Sequence, residues 1–294
     1  MTSGKALTPG SDGWLTTISS SKVPIILGLS PWSSPFALWH EMAGNVAKQE
    51  MDEGRAKVGH YAELMLVPCW LAENPGWSCQ RTSELSYEHT FTADYGYPAV
   101  ATVDAVAEGP DGERCIVECK TTNDMSHWGQ PGELNSVPAH YYAQVIWQMG
   151  VSGIHQAQVI VEAFHRVEIH HVEWDADMFD GMVAACADWW QSLQDGEEPA
   201  LDDREATYAT VRGLHPDIDP GTEHEITPQD AVALMDAKHT ADNADKHYKA
   251  LKAQHMHAMG NAQTLTSQGE KIATRYPGKY GVNFKLNPKA QIQP

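Results

Sequence analysis

CIVECKTT, residues 115–122, is an apolar and β-prone run that ends in two opposite charges. Glu118 and Lys120 are two positions apart, so in an extended strand their side chains share one face. The residues from Cys115 to Val117 look like the interior of a sheet, where a charge without a partner is costly. The stretch therefore predicts a buried strand that ends at a polar site.

A second strand, AVATVDAVAE, precedes this one, and the turn sequence GPDG separates the two. A five-residue connection centred on Asp111 would place Asp104 opposite Glu118, with their Cβ atoms about 5 Å apart. A four-residue loop would shift the pairing by one residue. Two carboxylates this close are stable around a divalent cation, and oxygen ligands suit Mg²⁺ or Mn²⁺. With Lys120 to orient a water and stabilise charge on a phosphoryl oxygen, the pair predicts a metal-dependent phosphodiesterase site.

Helices are predicted on either side of these strands. One runs from about Met51 to Glu73 and has Glu63 beside its apolar stripe. VPAHYYAQVIWQMGV predicts another helix from Pro138 to Met149, with Gly150 as its C-terminal cap. One side of this helix carries residues at helical spacing, namely Tyr141, Gln144, Val145 and Gln148.

The other elements complete an α/β (α+β) fold class. Ser34 and Pro35 predict the start of a helix that runs to Met42. QAQVIVEAF and VEIHHVEW are typical of strands, and a long amphipathic helix follows Asp175 as its N-cap. A last helix is expected from about Pro228 to Met259.

The predicted domain organisation has three parts. Residues 1–12 are expected to be a flexible leader, residues 13–200 the main domain, and residues 201–294 an acidic linker followed by a helical, basic C-terminal extension. The net charge is −19, yet residues 237–294 hold nine Lys and Arg against three acids. Phosphate contacts need such cations, so DNA would have to meet a local cationic surface. From charge alone, a solvated basic tail is the favoured interpretation.

The sequence argues against cysteine-bound metal sites, a disulfide framework and a membrane span. The five cysteines are scattered and form no CxxC pair, which argues against a zinc ribbon, an iron–sulfur cluster and a disulfide framework. No run of about 18 apolar residues predicts a membrane span.

Taken in order, these motifs resemble the YqaJ-type viral recombinase family, the phage exonucleases similar to the lambda exonuclease, within the PD-(D/E)xK nuclease superfamily. The stretches that carry the resemblance are SSSKVPIILGLSPWSSPFALWHEMAG, VGHYAELMLV, ATVDAV, VECKTT and VPAHYYAQVIWQMGV. They lie within residues 13–200. The resemblance implies a restriction-endonuclease-like core, in which helices flank a mixed central sheet.

The resemblance also implies roles for individual residues. Asp104 and Glu118 would bind the catalytic Mg²⁺ or Mn²⁺, helped by the backbone carbonyl of Cys119. Glu63 would support a metal-bound water or a second ion. Lys120 would position and activate the nucleophilic water. The implied catalytic set is Glu63, Asp104, Glu118, Lys120 and Gln144, the last of which would orient Lys120 or the scissile phosphate.

Two features depart from the family pattern. Val103 stands where the superfamily name has proline, and GWLTTISSSK lacks the arginine that relatives carry to grip a 5′-phosphate. A lysine cannot form the bidentate fork of an arginine, so Lys22 would replace it only approximately. The candidate residues for binding the 5′-phosphate and DNA are Ser19, Ser20, Ser21, Lys22 and Tyr141.

The resemblance implies a 5′→3′ exonuclease that resects double-stranded DNA ends and supplies single strands to an annealing recombinase. It further implies a homo-oligomeric ring, with a trimer favoured, in the cytoplasm of a bacterial host, encoded by a phage or prophage and without membrane association. One alternative is another repair nuclease of the superfamily. The other is a non-catalytic scaffold that binds DNA or protein on a nuclease fold.

Overall fold

The computed structural model describes residues 12–47, 53–279, 281–288, 290 and 292. Residues 1–11 of the expected leader therefore lie outside the described part. The helices are α1 Asp12–Leu15, α2 Val23–Ile26, α3 Pro35–Met42, α4 Glu53–Glu73, α5 Ala139–Ser152, α6 Ala176–Asp195, α7 Glu205–Leu214 and α8 Pro228–Ala258. The strands are β1 Ile18–Ser19, β2 Ser78–Cys79, β3 His89–Asp94, β4 Pro98–Val103, β5 Ala105–Glu108, β6 Arg114–Thr121, β7 Gln156–Ala163, β8 Arg166–Glu173, β9 Thr264–Ser267, β10 Glu270–Gly278 and β11 Gly281–Leu286.

A five-stranded mixed sheet forms the centre, in the order β2-β5-β6-β7-β8. Strands β6 and β7 are parallel, and the other neighbours are antiparallel. Helices cover both faces, because alternate residues of β6 enter different apolar clusters: Ile116 packs with residues of α5, and Val117 with residues of α4. The expected mixed α/β fold with helices flanking the sheet is thereby confirmed.

Of the two hairpin registers that the sequence left open, the structure has the one with a five-residue connection. Strand β5 pairs with β6 through Ala105 opposite Val117 and Glu108 opposite Arg114, which leaves a five-residue connection between the strands. Extending this ladder by one position places Asp104 opposite Glu118.

The prediction of one continuous strand over residues 99–108 is wrong. The chain bends at Asp104, so β4 pairs with β1 and β3 in a second sheet, while β5 pairs with β2 and β6. At the bend, the Asp104 carboxylate accepts a hydrogen bond from the backbone N–H of Cys119 at 2.7 Å. The acid thus occupies the position where a strand partner would otherwise continue the ladder.

The predicted end of α5 at Gly150 is wrong as well. The helix continues to Ser152, and Gly153, with φ of 69°, is its left-handed cap. Gly150 lies inside the helix because the ring of Phe179 packs against it, and a Cβ there would meet that ring at 2.1 Å. The glycine therefore serves close helix packing rather than helix termination.

Two predicted helix starts are confirmed by their caps. The Ser34 hydroxyl accepts a hydrogen bond from the N–H of Ala37, and the Asp175 carboxylate accepts one from the N–H of Met178. Both helices pack in the first of two compact units, which divide between Ile218 and Asp219.

The second unit contains α8 and an antiparallel sheet, β9-β10-β11. The helix was expected, but the strands of the basic tail were not, although Val282, Phe284 and Leu286 alternate with polar residues. Among the described residues, no helix has the length and apolar character needed to cross a bilayer.

Candidate active site

Glu118 is the buried centre of a hydrogen-bond network at the end of β6. Its side chain is 2% exposed, and both carboxylate oxygens accept hydrogen bonds. Lys120 Nζ donates to Oε1 at 2.5 Å, and Gln144 Nε2 donates to the same oxygen at 2.6 Å. Gln148 Nε2 donates to Oε2 at 2.8 Å. Three donors, one of them charged, therefore hold this carboxylate in one orientation.

Gln148, for which the sequence predicted no role, also contacts Glu118. It is fully buried and also donates to the backbone oxygen of Thr102 at 2.9 Å. Its position was visible in the sequence, because Gln148 follows Gln144 by one helical turn on the same side of α5. A second amide on an apolar helix face is a signal, since burying it requires a hydrogen-bond partner.

Asp104 approaches β6 from the bend between β4 and β5. In an extended strand the N–H and C=O of one residue point to the same side, and Asp104 accepts the Cys119 N–H. The Cys119 carbonyl therefore faces the Asp104 side as well. The structure thus brings together Asp104, Glu118 and this carbonyl, and metal binding by them stays a prediction.

A small cavity of about 220 Å³ opens beside these groups. Its lining residues come from α4, the bend and the end of β6: Gly59, Ala62, Glu63, Asp104, Cys119, Lys120 and Thr121. Glu63 is placed there by α4, and its Oε2 lies 3.5 Å from His60 Nδ1, one turn earlier on the helix. The cavity can admit a hydrated ion or a phosphate oxygen.

The carboxylates of the site disfavour one another's charge. Burial raises the pKa of Asp104 well above its usual value, and nearby Glu118 raises it further. Burial also raises the pKa of Glu63 to about 7; His60 opposes this rise, and Glu88 and Glu118 add to it. Burial lowers the pKa of Lys120, but Glu118 and Asp104 outweigh this effect, so the net shift is upward. The positive charge of Lys120 thus acts on three neighbouring carboxyl groups, those of Glu63, Asp104 and Glu118.

The donor set fits a hard divalent cation. Carboxylates and a backbone carbonyl supply only oxygen, which Mg²⁺ and Mn²⁺ prefer, and a cation would relieve the crowding of negative charge. No ready-made cluster of three or more His, Cys, Asp or Glu occurs in the part of the chain that is described. Since Lys120 and Gln144 already bond Glu118 Oε1, a metal at that oxygen would compete with them.

Tyr141 lies close to the site, and a DNA contact by this residue stays a prediction. Lys120 Nζ is 5.0 Å from the centre of the Tyr141 ring, a cation–π distance. Burial raises the pKa of the Tyr141 hydroxyl, so this side chain is neutral at ordinary pH.

The proposed 5′-phosphate residues are arranged differently. Lys22 is 1% exposed; its ammonium group donates to the backbone oxygens of Trp14 and Thr17 and lies over the Trp14 ring. Ser20 is buried, whereas Ser21 is exposed with its hydroxyl 3.1 Å from that of Ser19. The geometry gives Lys22 a structural role, and phosphate binding by this segment stays a prediction.

Comparison with known proteins agrees with the family resemblance. Residues 13–155 match the YqaJ-like viral recombinase domain. The uncharacterized protein YqaJ of Bacillus subtilis (strain 168) is 24% identical over 265 residues, which cover 86% of this chain and 79% of that protein. Residues 13–155 are therefore similar to a YqaJ-like viral recombinase domain.

Solved exonuclease structures are also similar. The alkaline exonuclease LHK-Exo from Laribacter hongkongensis matches with a TM-score of 0.47 and 14% identity over 62% of this chain and 90% of that one. A phage-related exonuclease from Haemophilus somnus 129PT matches with a TM-score of 0.44 and 15% identity over 61% of this chain and 96% of that one.

Proposed function

We propose that residues 13–155, which match the YqaJ-like viral recombinase domain, are the catalytic part of a Mg²⁺- or Mn²⁺-dependent exonuclease that resects double-stranded DNA in the 5′→3′ direction. The observation that supports this is the assembly at the end of β6. There Asp104 lies beside Glu118 and Lys120 over a cavity, and two amides from α5 hold Glu118 in place. Buried charge of this kind is costly, and a catalytic role accounts for it.

The metal would be held by Asp104, Glu118 and the Cys119 carbonyl. Bound there, it would supply Lewis-acid stabilisation of charge on a phosphoryl oxygen. Glu63 faces the same cavity from α4 and would hold a water or a second ion.

The side chains of the domain supply positioning and charge. Lys120 remains protonated, so it acts as a hydrogen-bond donor that orients the attacking water and stabilises developing negative charge. Gln144 and Gln148 fix the Glu118 carboxylate, which in turn sets the direction of the Lys120 ammonium. Preorganised donors of this kind avoid reorganisation during the reaction.

The proposed biological setting is end resection for annealing recombination. The product strands would pass to a single-strand-annealing recombinase in the cytoplasm of a bacterial host, with the nuclease encoded by a phage or prophage. We propose a homo-oligomeric ring, with a trimer favoured. An outer surface of negative charge around a positive bore would keep an end-binding enzyme from adhering to the sides of duplex DNA.

One observation favours a second candidate, a non-catalytic DNA- or protein-binding scaffold. Every oxygen of Glu118 is already satisfied inside the protein, as a purely structural carboxylate would be. The two candidate functions differ in whether the site hydrolyses DNA.

The deciding experiment incubates the protein with linear, nicked and circular duplex DNA in Mg²⁺. The exonuclease proposal expects loss of mass from linear DNA, none from closed circles, and full inhibition by excess EDTA. Digestion of closed circles or activity in EDTA would contradict it. Binding without digestion at any metal concentration would favour the scaffold.

A further inference from the structure

An aromatic surface lies next to the proposed catalytic lysine, and of its residues only Tyr141 has been considered above, as a DNA contact. It consists of Trp32, His140 and Tyr141, called here the aromatic platform. The Trp32 ring centre is 4.8 Å from that of His140 and 6.2 Å from that of Tyr141. Trp32 is 67% exposed, which is unusual for the largest apolar side chain, whereas Tyr141 is half-buried.

The platform is continuous with the site. Lys120 Nζ lies 5.0 Å from the Tyr141 ring, and Trp128 supports that ring with a centre-to-centre distance of 5.7 Å. A path of ring contacts therefore leads from the reacting end of Lys120, through Tyr141, to the exposed face of Trp32. A group bound at Lys120 would have this platform beside it.

The loop that carries Trp32 is held rigidly. Arg204, just before α7, donates to the backbone oxygens of Ser30 and Ser33 at 2.9 and 3.0 Å and to that of Gly28. The Ser30 hydroxyl accepts a hydrogen bond from the Trp32 N–H at 3.2 Å. One guanidinium thus fixes carbonyls on both sides of the tryptophan.

A second contact ties the end of this loop to α7. Thr207 Oγ1 donates to Ser34 Oγ at 2.7 Å, and both residues are buried. The backbone that carries the exposed tryptophan is thus fixed at several points before any ligand arrives. Preorganisation of this kind lowers the cost of binding.

We infer that the aromatic platform stacks the unpaired base of the terminal nucleotide when its neighbouring phosphate lies at Lys120. This inference rests on the proposed function. A nucleobase fits better than an apolar peptide because the platform adjoins a lysine and carboxylates of phosphodiester chemistry. Every base has an aromatic face, so stacking is independent of sequence, as end resection requires.

The charge of the domain gives stacking further weight. Residues 13–155 hold seven Lys and Arg against sixteen acids. Phosphate contacts usually dominate DNA affinity, and few cations are available here to make them. Base stacking would supply affinity that does not depend on positive charge.

The test measures equilibrium binding of the full chain to two duplexes in Ca²⁺, under conditions checked on gels for absence of digestion. Both duplexes carry one unpaired 5′-terminal nucleotide; one has a thymine there and the other an abasic sugar. Fluorescence anisotropy of a dye at the far, blocked end reports the affinity. The wild-type protein should prefer the thymine end.

Trp32→Ala should weaken binding to the thymine end about 5- to 100-fold, as for loss of one stacked base, and leave the abasic end unchanged. Trp32→Phe should keep most of the preference. Phe164→Ala is the matched control, since Phe164 has the same 67% exposure and lies in the turn between β7 and β8. Arg204→Ala should reduce the thymine preference while Trp32 stays in place. This variant tests whether the hydrogen bonds from Arg204 position the Trp32 loop.

The possible results distinguish the base-stacking inference from the nuclease proposal. Equal affinity of wild type for both ends, or an equal loss on both ends in Trp32→Ala, would overturn base stacking while leaving the nuclease proposal intact. A thymine preference that depends on Trp32, in a protein that never digests DNA, would support stacking and overturn the nuclease proposal. Failure of wild type to bind either duplex would overturn both.

Discussion

At the residue scale, Glu118 shows how one buried charge organises its surroundings. The lysine two positions away on the same strand and two amides on α5 satisfy its oxygens, and Asp104 approaches the next residue of the strand. Removing Glu118 itself would leave several donors unpaired, so a loss of activity in Glu118→Ala would be mixed with a loss of stability. The neighbours of Glu118 offer cleaner tests.

Lys120→Ala should reduce the digestion rate by roughly 10²–10³ or more, because it removes a charge that acts on the transition state. The fold should persist, since the lysine lies at a strand end and Glu118 keeps both amide donors. Initial rates on linear duplex and thermal unfolding are the measurements. Wild-type digestion by this variant would show that the site assignment is wrong.

Gln148→Leu should lower the free energy of unfolding by about 1–3 kcal/mol, because a buried carboxylate oxygen and the Thr102 carbonyl lose their donor. Activity should fall as well, since Glu118 loses one of the contacts that orient it. Chemical denaturation with the slope compared between variants measures the first effect. An unchanged midpoint would mean that the amide contributes nothing net.

Glu63 gives the metal-free protein a pH dependence of stability. Its folded pKa of about 7 exceeds the ordinary value of 4.5, so between these values the folded state binds more protons. Stability should therefore be highest below about pH 4.5 for this group alone and fall as pH rises to about 7. Thermal unfolding in EDTA from pH 5 to 8 should show a shallower decline in Glu63→Gln than in wild type. Parallel curves would remove Glu63 as the cause.

At the element scale, the bend at Asp104 and the passage of α5 through Gly150 position the site. The bend moves the chain from one sheet to the other and leaves the acid facing β6. Gln144 and Gln148 lie on α5, so their contacts with Glu118 depend on how α5 packs against α6. Glycine at 150 permits this close approach.

Gly150→Ala should destabilise the protein by about 1–3 kcal/mol, because the added methyl group would overlap the Phe179 ring. Gly181→Ala on α6 is the control: a Cβ there has nothing within 4 Å. That control should be stabilised by about 1 kcal/mol through helix propensity. Thermal unfolding of both variants is the measurement, and equal shifts in the same direction would refute the packing explanation.

At the scale of the whole molecule, the acidic charge of the chain is the feature to reconcile with DNA. The −19 net charge opposes binding to an isolated protomer, whereas a ring could gather cations around an enclosed strand.

Light scattering at micromolar concentration should therefore give a mass about three times the 32.4 kDa of one chain, as for a trimer. Raising the salt concentration should leave an oligomer built on apolar contacts intact, while DNA binding weakens. A mass of one chain across the concentration range would count against the ring.

The sequence by itself determined the features that depend on neighbours along the chain. The apolar run of β6, the turn GPDG and the caps Ser34 and Asp175 predicted the helix starts and a hairpin for which the five-residue connection was one of two registers. The register placed Asp104 opposite Glu118, which is the central feature of the candidate site. Local spacing predicts the face on which a side chain lies, because each residue of a strand or helix has a direction set by its own element, whereas the choice between the two loop lengths required the structure.

Only the tertiary structure decided features that depend on residues distant in the chain. The strand ends at Asp104, where the carboxylate accepts a hydrogen bond from the N–H of Cys119. Helix α5 continues through Gly150, where the ring of Phe179 packs against the glycine. Likewise, Arg204 fixes a loop more than 170 residues away. Such contacts form when separate elements meet, so their partners cannot be read from spacing within one element.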